Sequence, residues 1–210
     1  MCGRYGFSES KRKYLRERYS LDSDNEINEW IGSYNIAPTQ NAPIITKNSP
    51  NSAHLRSFGI KVPWMPRPLI NAQSESVANK PTFKTMFREN RCIVPATFFF
   101  EWKRTEDGKQ PYAFSMKDDD IFSIAGIYND EGFVILTCPP NDLMKDIHDR
   151  HPMILKKEDE ELWLEHDSEE DQLLRLFKPY PAGEMKRWKV SPLVNNPKNN
   201  TDQNLAPINE

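Results

Sequence analysis

Residues 92–104 read CIVPATFFFEWKR, and this stretch decides the fold. It is dense in β-branched and aromatic residues, which is typical of a buried strand. The turn signal EDGK at 106–109 follows it and predicts a hairpin with the strand PYAFSM at 111–116. A second hairpin is predicted from IFSIAGIYN at 121–129 and GFVILTCPP at 132–140. Two hairpins in succession favour a mostly antiparallel sheet at the centre of the fold.

Prolines outnumber glycines in the chain, 17 to 8. Proline interrupts both helices and central strands, so we expect short elements joined by ordered turns. The length of 210 residues suits one compact α+β domain. Helical patterns recur outside the central hairpins, and we predict short flanking helices at 8–20, 81–90, 141–148, 158–165 and 168–178.

Composition and cysteine spacing exclude several classes of protein. Hydrophobic residues make up 37% of the chain, and no apolar run approaches the roughly 20 residues of a membrane span. The N-terminus lacks the apolar stretch of a signal peptide. Three widely spaced cysteines, Cys2, Cys92 and Cys138, make a poor disulfide framework and indicate the reducing cytoplasm. No C-x-x-C pair offers a zinc half-site, and no further ligands follow His148 and His151 at a usable spacing, so we expect no metal; we also expect no cofactor.

The net charge of −3 hides an asymmetry between the two halves of the chain. Residues 1–117 hold 18 Lys and Arg against 11 Asp and Glu, a net charge of +7. Residues 118–210 carry a net charge of −10. A basic half permits a face that binds polyanions, although an uneven spread of charge by chance explains the counts equally well.

Four short stretches place polar or ionisable residues at the ends of apolar elements. They are MCGR at 1–4, INAQSES at 70–76, FFFEWK at 98–103 and IHDRHPMIL at 147–155. Strand ends that project into a common mouth are where binding sites usually form. We therefore expect these four stretches to meet.

Within these stretches, three side chains suit acid–base or orienting roles. Glu101, between Phe100 and Trp102, is either a solvent-facing carboxylate or a general acid partly enclosed by aromatics. His148, at a predicted helix-to-strand turn, is either a structural donor or a catalytic base. The Asn71 amide could orient an amine or an oxyanion, or could instead form a turn or a cap.

The ordered set of motifs resembles the SOS response-associated peptidase (SRAP) family. The motifs are MCGR, YNIAPTQ, a glycine-containing segment that ends in PW, INA, FxEWK, AGIY, HDRxP and VSxLVN. The resemblance covers residues 1–198, which we interpret as one domain followed by a polar tail at 199–210. It implies a curved, barrel-like, mostly antiparallel sheet with flanking helices, and a monomer with a positively charged groove for single-stranded DNA.

The resemblance also implies a chemistry and a set of site residues. Family members form covalent cross-links with abasic sites in single-stranded DNA through an N-terminal cysteine, which a peptidase-like self-processing exposes; a lyase activity is a further possibility. By this resemblance the nucleophile is Cys2 and its catalytic companions are Asn71, Glu101 and His148. The same resemblance places the following residues on the DNA path: Arg4, Pro38, Trp64, Gln73 and Arg150. Gln73 stands where the family commonly has Arg, which removes one charge from the phosphate-binding surface.

Cys2 has a chemical property that no internal cysteine shares. Once Met1 is removed, Cys2 carries both a thiol and the free α-amine, and these can close a five-membered thiazolidine ring on an aldehyde. Two alternatives stay open at this point: a cysteine peptidase that acts on protein substrates, and a module that binds single-stranded nucleic acid without a covalent bond. A purely structural or partner-binding domain fits the ordered motifs less well.

Overall fold

The chain folds into two β-sheets with short helices around them, which confirms the predicted α+β fold in a single domain. The structure is a computed structural model that describes residues 2–22 and 26–208. The strands of the first sheet are β1 (Arg4–Phe7), β2 (Ser33–Ile36), β7 (Phe98–Thr105), β8 (Gly108–Met116) and β13 (Met185–Lys189). This sheet is antiparallel, and its strands run in the order β13-β8-β7-β1-β2.

The second sheet has eight strands, of which six follow the order β11-β10-β9-β6-β3-β4. The other two strands are β12, which pairs with β9, and β5, which pairs in parallel with β10. Over the described residues neither sheet closes into a barrel. The strands are β3 (Asn41–Thr46), β4 (Ser49–Ser57), β5 (Asn71–Gln73), β6 (Arg91–Ala96), β9 (Phe122–Asn129), β10 (Gly132–Cys138), β11 (His151–Pro152) and β12 (Ile154–Leu155).

The stretch that predicts one strand over 92–104 forms two strands in different sheets. Strand β6 ends at Ala96 and β7 begins at Phe98. Thr97 makes the corner between them: its backbone N–H donates to Gly6 O at 3.0 Å, and its hydroxyl oxygen accepts from Ser8 N at 2.8 Å. The prediction of a single strand is therefore wrong. Because of this corner, β7 leaves the second sheet and pairs with the N-terminal strand β1.

Aromatic side chains connect the two sheets. Phe99 of β7 stacks on Phe114 of β8 with ring centroids 4.9 Å apart. Tyr5 of β1 packs edge-on against Phe58 at 5.5 Å, and Phe58 stacks on Phe133 of β10 at 5.4 Å. All five are at most 1% exposed, and each such ring contributes on the order of 1.5–3 kcal/mol by burial. This cluster also contains Cys2, so the chain's N-terminal end is anchored in the core.

Within residues 2–22 and 26–208, five short α-helices surround the sheets. The longest, α3, has Pro81 at its first turn and buries Phe83, Met86 and Phe87 against the core. None of the helices in the described ranges is long and apolar enough to span a membrane. The helices are α1 (Arg12–Arg18), α2 (Ser74–Val77), α3 (Pro81–Glu89), α4 (Glu160–Leu164) and α5 (Glu170–Leu174).

The helix predicted over 141–148 is wrong, because this segment forms two successive turns. Asn141 caps the first turn, since its side-chain oxygen accepts from the backbone N–H groups of Leu143 and Met144. The carbonyls of Asn141 and Met144 each accept two backbone bonds, but no continuous ladder develops between them. The Asn141 amide also donates to Tyr180 O at 2.7 Å, which holds the start of the segment in place.

The residues predicted as a polar tail, 199–210, pack against the outer face of the first sheet as far as residue 208. Residues Asp202–Leu205 form a 3₁₀ turn, and Asn204 within it is fully buried. The Trp188 indole N–H donates to Leu205 O at 2.7 Å. Polar side chains are compatible with this packing because they bond to backbone groups, as Asn204 does to Asn199 O.

Candidate active site

Cys2 lies beside the point where β1 meets β7. The strands pair antiparallel with Arg4 opposite Phe100, so the chain before Arg4 runs along Glu101 and Trp102. The Cys2 side chain is 1% exposed. Burial raises the pKa of its thiol to about 12, and the negative charge of Glu101 raises that pKa as well. The thiol is therefore protonated at neutral pH in this state, and it needs activation before it can act as a nucleophile.

Asn71 holds the backbone of Cys2. It begins strand β5, whose parallel pairing places Asn71 opposite Ile135 of β10. Its side-chain Nδ2 donates to Cys2 O at 3.0 Å. Its Oδ1 is buried and has no hydrogen-bond partner within the part of the chain that the structure describes. Asn71 thus fixes the position of Cys2 and keeps an acceptor for a donor that arrives with substrate or product.

Glu101 points to the inner face of the first sheet, where it is 4% exposed. It lies two positions after Phe99 on β7 and so shares that residue's face. The Trp102 backbone N–H donates to Glu101 Oε1 at 3.1 Å. The interpretation of Glu101 as a solvent-facing carboxylate is therefore wrong. The enclosed carboxyl lies close enough to the Cys2 thiol to raise the pKa of that thiol.

His148 lies at the end of the turns that follow β10, with its side chain 24% exposed. The Arg150 backbone N–H donates to His148 Nδ1 at 3.0 Å, and Asp149 Oδ1 lies 2.8 Å from the same nitrogen. Strand β10 connects this turn to the Asn71 segment, since Thr137 pairs with Gln73 on one side and with Pro152 on the other. The four stretches that we expect to meet thus lie on or next to strands of both sheets. These strands are β1 and β7 of the first sheet, and β5 and β10 of the second.

The second histidine of the HDRHP motif, His151, is buried and serves the fold. Its Nε2 accepts from the Asn141 amide at 3.3 Å, and its Nδ1 donates to Pro152 O at 2.6 Å. Burial lowers its pKa to about 4, so the ring is neutral at pH 7. Among residues 2–22 and 26–208, no group of three His, Cys, Asp or Glu side chains could hold a metal ion.

The residues expected on the DNA path differ in how available they are. Trp64 is 68% exposed in the loop before β5, so its ring does not serve as a packed anchor of that loop. Gln73 is exposed at the end of β5, and Pro38 is half-buried in the turn after β2. Arg4 and Arg150 are engaged by the protein itself. Of these residues, Trp64 thus offers an exposed aromatic ring, whereas the guanidinium groups of Arg4 and Arg150 already have partners within the protein.

Arg4 is held on the outer face of the first sheet. Its Nη1 donates to Asn35 Oδ1 at 2.7 Å and to Val194 O at 2.6 Å, and its guanidinium lies 5.9 Å from the Trp102 ring centroid. Burial lowers the pKa of Arg4 from its usual range, but the group stays charged at neutral pH. Its hydrogen-bond partners are neutral, so they leave the positive charge of Arg4 uncompensated.

Three supporting residues lie outside the predicted set. Asn35 is 1% exposed and, besides accepting from Arg4, its amide bonds to the carbonyls of residues 194, 196 and 199. Thr137 and Glu75 bind the Arg150 side chain. Asn35 lies in the motif YNIAPTQ and Glu75 lies in INAQSES, so their membership of these motifs could have identified both residues. Thr137, within an apolar strand, carried no such signal.

The buried Cys2, held by Asn71 and next to the enclosed Glu101, forms a candidate cysteine-based site between the two packed sheets. The profile of the SOS response associated peptidase (SRAP) family matches residues 1–197, and the chain belongs to this family. The resemblance inferred from the motifs is thereby confirmed.

Curated relatives and solved structures agree with this assignment. The abasic site processing protein YoqW of Bacillus subtilis (strain 168) is 38% identical over 221 residues, which cover 97% of this chain and 98% of that protein. The abasic site processing protein YedK of Escherichia coli (strain K12) is 30% identical over 224 residues, covering 99% and 100%. A crystal structure of a protein from Bacteroides thetaiotaomicron aligns with a TM-score of 0.80 at 27% identity, covering 93% of this chain and 96% of that one.

Proposed function

We propose that this protein captures abasic sites in single-stranded DNA by covalent attachment through Cys2. The relatives that match it over nearly their whole length are named abasic site processing proteins. The observation that carries the proposal is the hydrogen bond from Asn71 Nδ2 to Cys2 O. This bond orients the residue that becomes the chain terminus after Met1 is removed, next to a free acceptor on Asn71 and close to the Glu101 carboxyl.

The chemistry requires the amine and the thiol of Cys2 together. The open-chain form of an abasic sugar carries an aldehyde, and the Cys2 α-amine adds to its carbon. Loss of one water gives an imine. The Cys2 sulfur then bonds to the imine carbon while the thiol proton is transferred to the nitrogen, and a thiazolidine ring results. Because the amine must be neutral to attack and its ordinary pKa is near 8, a nearby proton acceptor accelerates the first step.

Each companion residue has a role in this sequence. Glu101 exchanges the protons needed to open the sugar ring and to expel water from the imine precursor. Asn71 Oδ1 accepts from the α-amine and aims its lone pair at the aldehyde carbon. His148 takes the proton released by the amine or the thiol. Peptidase-like self-processing, in which water cleaves the Met1–Cys2 bond, and a lyase step on the captured sugar belong to the same proposal.

Single-stranded DNA is the substrate that this surface suits. The exposed Trp64 offers a ring on which a base can stack, and Arg4 offers an uncompensated charge for a phosphate. Pro38, Gln73 and Arg150 complete the proposed path. An unpaired abasic site also needs no extrusion from a duplex. We also propose that the protein acts in the cytoplasm and as a monomer.

The α-amine of Cys2 favours capture of an abasic site over the alternative of a peptidase acting on other proteins. The thiazolidine ring requires the amine and the thiol together, whereas a peptidase nucleophile gains nothing from a neighbouring amine. Both reactions require activation of the thiol, which is 1% exposed and has a pKa raised to about 12.

A denaturing gel tests the proposal. Untagged protein is mixed with single-stranded DNA that carries one abasic site, and the mixture is denatured. We expect a slow-migrating species that is lost with Cys2→Ala and with an N-terminal extension, while Cys92→Ala, which alters another buried thiol, retains it. A non-covalent binding module would give no such species with the wild-type chain. Acetylation of the N-terminus should stop cross-linking but would leave peptide cleavage intact if the protein were a protein-directed peptidase.

A further inference from the structure

An ion pair joins the two segments that carry Asn71 and His148. Arg150 Nη1 lies 2.6 Å from Glu75 Oε1, and Nη2 lies 2.8 Å from Glu75 Oε2, so the pair is bidentate. The Arg150 side chain is 12% exposed, against 50% for that of Glu75. Its Nη2 also donates to Thr137 O, and its Nε donates to Thr137 Oγ1 at 3.4 Å. Four of the five N–H groups of this guanidinium are thus used inside the protein.

The position of the pair in the fold matters more than its strength. Glu75 lies in α2, which follows directly on β5 and Asn71. Arg150 comes two residues after His148. Thr137 of β10 lies between the two segments and receives bonds from Arg150. The ion pair therefore fixes the His148 turn and the Asn71 strand to the same point of β10.

Two groups next to this attachment compete for His148 Nδ1. The Arg150 backbone N–H donates to His148 Nδ1 at 3.0 Å, which requires that nitrogen to be unprotonated. The neutral ring then carries its proton on Nε2. Asp149 Oδ1, 2.8 Å from Nδ1, is the competing partner, because it can accept only when Nδ1 carries a proton. The placement of the Arg150 backbone decides between the two partners.

We propose that Glu75 is a positioning residue for the reaction: by holding Arg150, it keeps the neutral His148 ring in the Nε2–H form and fixes it relative to Asn71. The part of this inference that concerns the reaction rests on the function proposed above for His148. The Arg150 side chain holds the pKa of Glu75 down to about 2, so the carboxylate is ionised across the physiological range. Arg150 accordingly acts mainly by fixing the geometry of the site, and its fifth N–H can bind a phosphate.

Two variants test the role of Glu75. Glu75→Gln removes the charge, and Arg150→Lys keeps a charge but cannot form the bidentate contact. Glu170→Gln is the matched control, since it removes a carboxylate that pairs at the surface with Arg88. The first measurement needs no DNA: ¹⁵N NMR of the imidazoles reports which ring nitrogen of His148 carries the proton. We expect the Nε2–H form in the wild type and in Glu170→Gln, and a mixture of both forms in Glu75→Gln and Arg150→Lys.

The second measurement is the single-turnover rate of cross-linking at saturating DNA. Glu75→Gln should lower this rate constant about 10-fold by misplacing His148. Because the DNA is saturating, this rate does not depend on any change in the Kd that follows from the release of Arg150. In a His148→Ala background the same substitution should have no further effect, because the residue through which Glu75 acts is then gone.

Three results would overturn the inference. One is an unchanged His148 proton position in both variants. Another is an effect of Glu75→Gln that persists in full in the His148→Ala background. The third is tighter DNA binding with a steeper salt dependence and an unchanged rate, which would make Glu75 a screen over a phosphate-binding Arg150. If the wild type forms no cross-link, the proposed function fails and the NMR result alone decides the role of Glu75.

Discussion

Replacing His151 with methionine should remove a defined part of the protein's sensitivity to acid. His151 is 1% exposed, and burial lowers its pKa from 6.5 to about 4. In the unfolded chain the imidazole returns to water and regains its ordinary pKa, so the unfolded state binds the proton more tightly. The stability that a neutral His151 provides is therefore complete above about pH 6.5 and is lost as the pH falls towards about 4.

The size of the effect follows from the difference between the two pKa values. A difference of about 2.5 pKa units corresponds to about 3 kcal/mol when the whole range is crossed. Between about pH 7 and pH 4.5 the wild type should lose roughly 2 kcal/mol through this residue, a substantial share of a typical folding free energy. Methionine fills a similar volume and cannot titrate, and the Asn141 amide keeps its bond to Tyr180 O.

Urea unfolding at a series of pH values measures this effect. The free energy of unfolding of His151→Met should fall less steeply with acid than that of the wild type, by about 2 kcal/mol over the interval. His166→Gln is the control, because it removes an exposed histidine and should leave the wild-type slope unchanged. Parallel curves for the wild type and His151→Met would refute the account of His151 as a neutral, buried hydrogen-bonding residue.

Three further predictions concern the proposed site. Glu101→Gln should slow cross-linking by about 100-fold or more without lowering the melting temperature, since it removes proton transfer and not packing; a wild-type rate would remove Glu101 from the mechanism. Arg4→Ala should weaken binding of intact single-stranded DNA and reduce the slope of log K against log salt by about 1, and an unchanged slope would exclude a phosphate contact. Trp64→Ala should lower affinity by about 1–3 kcal/mol with no change in thermal stability, because the ring is exposed; equal affinity would show that no base stacks on it.

Local sequence patterns predicted the fold class and most of the strands. These strands and turns are specified by residues that lie close together in the sequence, namely runs of β-branched and aromatic residues and the turn signals between them. They failed where a distant residue decides the local structure. Thr97 separates β6 from β7 through bonds to Gly6 and Ser8, and nothing within 92–104 shows those partners. The turns at 141–148 are similarly held by Tyr180, nearly forty positions away.

The same distinction applies to the site. Cys2, Asn71 and Glu101 could be selected from the motifs, and the structure joins them by a hydrogen bond and an electrostatic interaction. The motifs contain Asn35 and Glu75, but their pairing with Arg4 and Arg150 could not be predicted, since Arg4 lies 31 positions from Asn35 and Arg150 lies 75 from Glu75. Residue type indicates which groups can react, whereas their orientation follows from long-range pairs that only the fold brings together.

Intact mass spectrometry of the protein after reaction with an abasic single-stranded oligonucleotide tests the central claim most directly. The account predicts a protein that lacks Met1, joined to the oligonucleotide with the loss of one water, and a fragment spectrum that places the added mass on Cys2. A cross-linked product in which Met1 is still present, or one attached at any other residue, would contradict it.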